Sequence, residues 1–517
     1  MEPAAAPLHR LLEGAADRRG AAVGLVHGQQ SWTWAQVEER ANRLANLLAG
    51  RGLEVGDRVG LLADNGLGYV AGFFGILKAG GCVVALNGAN RAESHRRLLA
   101  DSGARALVTE AAQVRRDLPL VTADLPGLER VIVDRVSPQW DLPAGLQVHA
   151  AAEVEASSSA RPAVPVGGDD LAAILYTSGS TGVPRGVTLL HRNLAANTRQ
   201  IRAYLDPQPE DRQMVVLPFH YSYGKSLLLT HTAVGACLVI DNRFAYPSAV
   251  VDTMAAQRAT TFAGVPSTYA ILASRTDFLT RTLPDLRTLT QAGGGMAPAL
   301  VRRIRDAFAG RARLFVMYGQ TEACARLSWV PPERLEEKLG SIGVGIPGVE
   351  LLVRREDGSD CAVDEVGQVV ARGGNIMQGY WNDPAETALV LTPDGDLLTG
   401  DLGRRDAEGY IYLVDRIKNM IKAGANRVSA KEVEDAIAEV QGVEQVCVIG
   451  VPDELLGEAI EAHVVPVPGS GLTEKAILAH LRDTLALFKL PRMIHFRENL
   501  PKNSSGKILK SALRKPN

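Results

Sequence analysis

The sequence predicts an α/β protein: a large N-terminal domain of helix-covered sheets with a small β-rich subdomain, followed by a smaller α+β unit. Three observations predict it. Short apolar strands alternate with helical stretches over most of the chain, the pattern of a parallel sheet covered by helices. From Gly348 to Val414, short strands with Gly/Asp turns replace the helices. From about Asp415, capped helices return. A chain of 517 residues also exceeds one ordinary core, so roughly two to four structural units are expected.

Ala22–Val26 reads as a strand. Thr33 with Gln36 forms a capping box, and the helix behind it, with Leu44, Leu47 and Leu48 on one stripe, stops at Gly50. Val59–Ala63, Cys82–Ala85 and Ala106–Thr109 are strands, and Gly68–Leu77 is an apolar helix. Ala151–Asp170, rich in Ser, Pro and Gly, reads as a loop or linker. Strands follow at Leu171–Leu175, Met214–Leu217, Cys237–Ile240, Thr261–Val265, Leu286–Gln291 and Leu314–Tyr318. Val349–Val353, Gly367–Ala371 and Tyr410–Val414 make the β-rich subdomain. In the last unit, Ser429 with Glu432 caps a helix through Val440, Gln445–Gly450 is a strand, Thr473–Leu485 a helix and Met493–Phe496 a strand.

Hydrophobic content of 46% and charged content of 22% are globular values. A net charge of −2 argues against a nucleic-acid partner. The charge is uneven: from Arg416 onward, 15 Lys plus Arg face 12 Asp plus Glu, and nine of the 12 lysines lie there. Five scattered cysteines suggest neither a metal site nor a disulfide framework. They read as reduced thiols of a cytoplasmic protein. No secretory signal and no membrane span is apparent.

The chemistry is concentrated in a few motifs. Tyr176-Thr177-Ser178-Gly179-Ser180-Thr181-Gly182-Val183-Pro184-Arg185-Gly186-Val187 follows an apolar strand. Its glycines let the backbone approach a polyphosphate, its amides and hydroxyls donate hydrogen bonds, and Arg185 adds charge. The Gly-Lys-Ser/Thr of the common phosphate loop is absent. Tyr318-Gly319-Gln320-Thr321-Glu322 and Gly293-Gly294-Gly295-Met296 each follow a strand. Pro218-Phe219-His220-Tyr221-Ser222-Tyr223-Gly224, Thr399-Gly400-Asp401, Asp415-Arg416-Ile417-Lys418 and Ser504-Ser505-Gly506-Lys507 complete the set.

Together these motifs resemble, in order and over nearly the whole chain, the adenylate-forming superfamily of acyl-CoA synthetases, nonribosomal peptide synthetase adenylation domains and firefly luciferase. The resemblance implies doubly wound sheets in an N-terminal core, 1–414, and a mobile α+β lid, 415–517. It implies ATP-dependent activation of a small carboxylic acid to an acyl-adenylate, then transfer to a thiol of CoA or of a carrier protein's phosphopantetheine. Thr177 to Gly182 and Arg185 would hold phosphates. Gly293, Gly294, Gly295, Tyr318 and Gly319 would meet adenine, Asp401 and Arg416 the ribose. Thr321 and Lys507 would serve the α-phosphate, with His220 beside the reacting carboxylate. Glu322 would hold Mg²⁺, since a carboxylate beside a triphosphate otherwise repels it. Tyr221, Ser222, Tyr223 and Gln291 would line the acid pocket. Lys418 would be the hinge, and Lys422, Gly424 and Ala425 would line the thiol-transfer face. The basic C-terminal surplus would suit an anionic thiol partner.

Four positions depart from the family pattern: Arg185 for the usual Lys, Met296 for Pro, Ala425 for a frequent Gly, and Asn503 for a frequent Thr. Arg binds phosphate as a planar fork and not as a point charge. Two other readings stand beside this one. A freestanding amino-acid-activating enzyme would need an acidic group near the substrate amine, and none lies in Tyr221–Gly224 or Gln291–Gly295. A nucleotide-binding relative without adenylation would not need Glu322, Asp401 and Lys507.

Overall fold

The structure is a computed structural model and describes residues 6–115, 117–177, 184–417, 420–423, 426–453, 457–502 and 508–513. Two large mixed sheets form its main body. The nine-stranded sheet runs, in spatial order, Val344–Gly345, Ser328–Val330, Arg313–Tyr318, Thr288–Gln291, Thr261–Gly264, Arg212–Val215, Cys237–Ile240, Val23–His27 and Gln30–Thr33. The six strands from Arg313–Tyr318 to Val23–His27 are mutually parallel. The eight-stranded sheet runs Gly379–Tyr380, Arg185–Leu190, Leu171–Thr177, Cys82–Ala85, Arg58–Leu62, Ala106–Thr109, Arg130–Val133 and Gln147–Ala150. Most of these strands are apolar on both faces, as expected where helices cover both sides of a parallel sheet.

Between the sheets lies the helix Leu67–Lys78, buried from Tyr69 to Lys78. It packs on Trp34–Gly50, whose start is fixed as the sequence predicts. Thr33 Oγ1 accepts from the Gln36 amide, and Gln36 Oε1 accepts from the Thr33 amide at 2.9 Å. Lys78 Nζ ends this helix inside the protein, 2.8 Å from Glu13 and 2.9 Å from Glu38. A buried cation normally needs such partners.

The β-rich subdomain is a four-stranded antiparallel sheet: Val349–Arg354, Gly367–Gly373, Leu397–Arg405 and Ile411–Arg416. Its register sets Asp401 directly opposite Arg416. The C-terminal α+β unit wraps the helices Ala430–Ala438 and Glu474–Thr484 against a sheet built on the long hairpin Val443–Asp453 and Gly457–Pro466. Ser429 caps the first of these helices, accepting from the Glu432 amide. All five cysteines are buried and unbonded to one another. No helix among the described residues is long and apolar enough to cross a membrane.

One local expectation is corrected, and two strands appear that the sequence did not announce. Ala151–Asp170 is not all loop. Ala151–Ala156 is helical, held by Ser157 Oγ donating to the Glu153 carbonyl and by His149 Nδ1 against the Glu153 carboxylate at 2.9 Å. Beyond the Gly/Ser-rich segment, Arg185–Leu190 is a strand that runs antiparallel to Leu171–Thr177. Gly379–Tyr380 leaves the small subdomain's sheet and becomes an edge strand of the eight-stranded one.

Burial also shapes the acid response. His9 and His463 are lowered to about 4 and His191 to about 3, each chiefly because burial penalises the charged ring. Above pH 6.5 the rings are neutral in both states. As pH falls toward 4, the unfolded chain takes up protons that the native chain refuses, so stability falls. Burial raises Glu110 to about 7, which acts in the opposite sense but is one group against several, since His95, His220 and His231 are lowered by burial too. The urea midpoint should therefore decrease steadily from pH 6.5 to 5, with about one to three protons taken up on unfolding. A midpoint constant over that range would show that these rings titrate normally.

Candidate active site

A cavity of about 1230 Å³ opens where the carboxyl ends of strands from both large sheets meet the small subdomain and the C-terminal unit. Ligands of open α/β sheets bind at such strand ends. Gly293, Gly294 and Gly295 follow the strand Thr288–Gln291 onto its wall. Gly293 has φ +87°, a conformation that favours glycine. Gly319 follows Arg313–Tyr318. A Cβ there would lie 2.0 Å from the Ala325 carbonyl oxygen, so the tight reversal into Thr321–Ala323 requires glycine.

Asp401 is 3% exposed and engaged on both oxygens. Tyr318 Oη donates to Oδ2 at 2.5 Å, and Arg416 Nε lies 2.8 Å from Oδ1. Strands from two different sheets thus converge on one carboxylate. Thr321 Oγ1 donates to Ser222 Oγ at 3.3 Å, tying the turn to the start of the helix Ser222–Val234.

Glu322 faces the same cavity. Its Oε1 accepts from Tyr380 Oη at 2.9 Å. Burial, and then the Glu322 charge, push the Tyr380 phenol pKa up, so the proton stays on tyrosine. The other side of Tyr380 is covered by Arg185, whose guanidinium carbon lies 5.6 Å from the ring centroid. Arg185 also pairs with Glu386 at 2.8 Å. The cation expected on phosphate is thus held beside the phosphate loop by a carboxylate from the helix Pro384–Val390.

His220 lines the cavity and is lowered to about 4 by burial and then by the nearby Lys225 charge, so it is neutral at pH 7. Tyr221, Ser222, Tyr223 and Gln291 also line it. Two of these are committed to the scaffold. Tyr223 Oη donates to the Thr290 carbonyl at 3.0 Å, and Gln291 Nε2 donates to the Gly294 carbonyl at 2.7 Å. Gln291 therefore orders the glycine turn and does not offer that donor to an acid.

From the C-terminal unit, Lys431, Glu434, Asp435 and Lys510 reach the cavity. The Lys431 chain lies where a Cβ on Gly295 would meet it at 3.4 Å. Asp415 Oδ2 accepts from Ser429 Oγ at 2.9 Å and from the Lys431 amide at 3.0 Å, fixing the entry to this unit. Thr177 and Arg185 pair across the base of the phosphate loop. Ser178, Gly179, Ser180, Thr181, Gly182, Lys418, Gly424, Ala425 and Lys507 lie outside the described residues, and Lys422 is described only as backbone in Ile421–Ala423.

Sequence reasoning missed Tyr380, Glu386 and Arg326. Tyr380 is 58 residues from Glu322, and no local pattern links them. Arg326 did leave a signal: it is the single charge in the run Ala323–Val330.

This arrangement is that of the adenylate-forming superfamily. Residues 12–381 match the AMP-binding enzyme family and residues 432–507 the AMP-binding enzyme C-terminal domain; the chain belongs to the AMP-binding enzyme family. It is 34% identical over 495 residues to a feruloyl-CoA synthase of Amycolatopsis sp, covering 96% of both chains. It is 32% identical over 534 residues to a long-chain-fatty-acid–CoA ligase of Salmonella typhimurium, covering 98% of this chain and 94% of that one. Among solved structures, the anthranilate CoA ligase AuaEII in complex with anthranoyl-AMP superposes with a TM-score of 0.88 at 26% identity, covering 99% of this chain and 97% of that one. ATP-bound MatB from Rhodopseudomonas palustris gives 0.87 at 28%, covering 98% of each.

Proposed function

We propose that the chain activates a carboxylic acid with ATP, releasing pyrophosphate, and passes the acyl group from the acyl-adenylate to the thiol of CoA, releasing AMP. The observation that carries this reading is the convergence of Tyr318, Asp401 and Arg416 beside the glycine turn. A carboxylate held by two donors is pre-oriented for a pair of ribose hydroxyls, and the bare glycine backbone admits a flat base. Three of the relatives, the feruloyl-CoA synthase, the long-chain-fatty-acid–CoA ligase and the anthranilate CoA ligase, bear names that support the same reading.

The roles follow from position. Thr321 would rotate its hydroxyl from Ser222 to donate to an α-phosphate oxygen, from a turn anchored beside the helix Ser222–Val234. Neutral His220 can hold the reacting carboxylate without becoming its acid. Glu322 and Thr321 present only hard oxygen donors, a set that fits Mg²⁺; bound there, the ion would neutralise phosphate charge. Tyr380 and Arg185 steer Glu322 and shield it from water. The lid, from about 415, brings Lys507 to the first half-reaction and the Lys422, Gly424 and Ala425 face to the second, turning at Lys418.

The test is pyrophosphate release across a panel of acids, first without thiol and then with CoA or a phosphopantetheinyl carrier protein. Lys507→Ala should cut release by about 10²–10³ while a preformed acyl-adenylate still transfers to CoA. Release at the parental rate would remove Lys507 from the reaction.

A further inference from the structure

The cavity holds a buried cation that the proposed chemistry does not use. Arg326 is 2% exposed and lines the wall. Its guanidinium carbon lies over the Tyr223 ring, 3.9 Å from the centroid. One nitrogen donates to the Ala325 carbonyl at 3.4 Å, and Nε has no acceptor. Among the described residues Arg326 has no carboxylate partner, in contrast to Lys78 between Glu13 and Glu38.

The five carboxylates on the cavity wall are committed elsewhere. Asp401 holds Tyr318 and Arg416, Glu322 holds Tyr380, and Asp415 holds Ser429. Glu434 holds Lys510, and Asp435 holds Lys431. A second buried cation, Lys225, rests on Phe73 and on the Tyr69 hydroxyl, but it does not line the cavity. Arg326 alone combines burial, an open donor and a place on the wall.

A cation kept out of water costs free energy unless an anion joins it. The stacked ring offsets part of that cost; a ligand carboxylate would complete it as a fork-on-fork pair. Arg326 lies over Tyr223, follows the turn Thr321–Ala323 by three residues, and shares the cavity wall with Thr321 and His220, so an acid whose reacting carboxylate meets Thr321 and His220 can extend its tail toward Arg326. We infer that the acid this enzyme activates is a dicarboxylic acid, one carboxylate reacting and the other held by Arg326. This rests on the acid-activating reading above. The same charge repels an ammonium group, which disfavours amino acids as substrates.

The experiment measures pyrophosphate release by the unaltered enzyme with aliphatic and aromatic dicarboxylic acids of graded length, each beside its half methyl ester. The ester keeps the reacting carboxylate and loses only the second charge. The best diacid should exceed its half ester by at least about 100-fold in kcat/KM, since a site built to bind a polar group rejects analogues lacking it. Arg326→Met should collapse that ratio toward one while the half ester is still turned over. Arg326→Lys should restore part of it. Esters or plain monoacids matching the diacids would overturn this inference and leave acid activation standing. Release with no acid in the panel would overturn both. The comparison on the unaltered enzyme decides the matter even if Arg326→Met fails to fold.

Discussion

Replacing Glu322 with glutamine is expected to slow pyrophosphate release by about 10²–10³ and to move the Mg²⁺ midpoint upward. The substitution keeps the shape of the side chain, and its amide oxygen can still accept from Tyr380, so the turn Thr321–Ala323 should survive. What disappears is the negative charge on the cavity wall. An oxygen-only site holds Mg²⁺ mainly by charge, so excess metal should recover part of the lost rate. Tyr380→Phe separates the two contributions. It removes the hydroxyl that orients Glu322 but keeps the carboxylate, and should cost far less. A Mg²⁺ titration with unchanged midpoint and unchanged maximal rate in Glu322→Gln would show that this carboxylate is not a metal ligand.

Asp401→Asn should raise KM for ATP by about tenfold to a hundredfold and leave kcat at saturating ATP much less affected. Asp401 accepts from Tyr318 and from Arg416 at once. Asparagine can face one of them with its oxygen, but then points its NH₂ at the other donor. A buried donor left without an acceptor costs about 1–3 kcal/mol, which is the stated range of affinity if the nucleotide depends on this geometry. Pyrophosphate-exchange kinetics at varied ATP would check it. An unchanged KM would place the nucleotide elsewhere in the cavity.

The parts of this molecule that the sequence made legible are those set by local chemistry. Thr33 and Gln36 announce a helix start because the cap closes within four residues. The apolar runs at Cys82–Ala85 and 262–265 announce strands because burial on both faces leaves no polar position. Most of the candidate site residues that fall within the described chain reach one cavity because they lie at or just beyond a strand end, whereas Asp401 sits within the strand Leu397–Arg405. Other features depend on pairing at a distance. The antiparallel return of Arg185–Leu190 was hidden by a loop whose glycines and hydroxyls suggested only phosphate chemistry. The register that sets Asp401 against Arg416 comes from the hairpin between Leu397–Arg405 and Ile411–Arg416, not from either motif. Tyr380 could be recognised only once Gly379–Tyr380 had joined a sheet whose other strands come from the first half of the chain. Arg326 stands as the single charge among the residues of Ala323–Val330, but only its burial gives that isolation a meaning.

The two-residue strand Gly379–Tyr380 has a further consequence. It joins the eight-stranded sheet at only two register positions, opposite Thr188 and Val187, yet Tyr380 reaches Glu322 beyond the nine-stranded sheet's strand end. The Gln378 and Trp381 amides donate to the Thr188 and Gly186 carbonyls, and Thr188 Oγ1 to the Gly379 carbonyl; a short edge seam of this kind opens locally before the sheets it bridges. Such an opening separates Tyr380 from Glu322 and carries off the helix that pairs with Arg185, while both cores stay intact. Local opening of this seam is therefore expected to disturb the end of the body that carries Glu322 before either core opens, so activity should be lost on heating ahead of global unfolding.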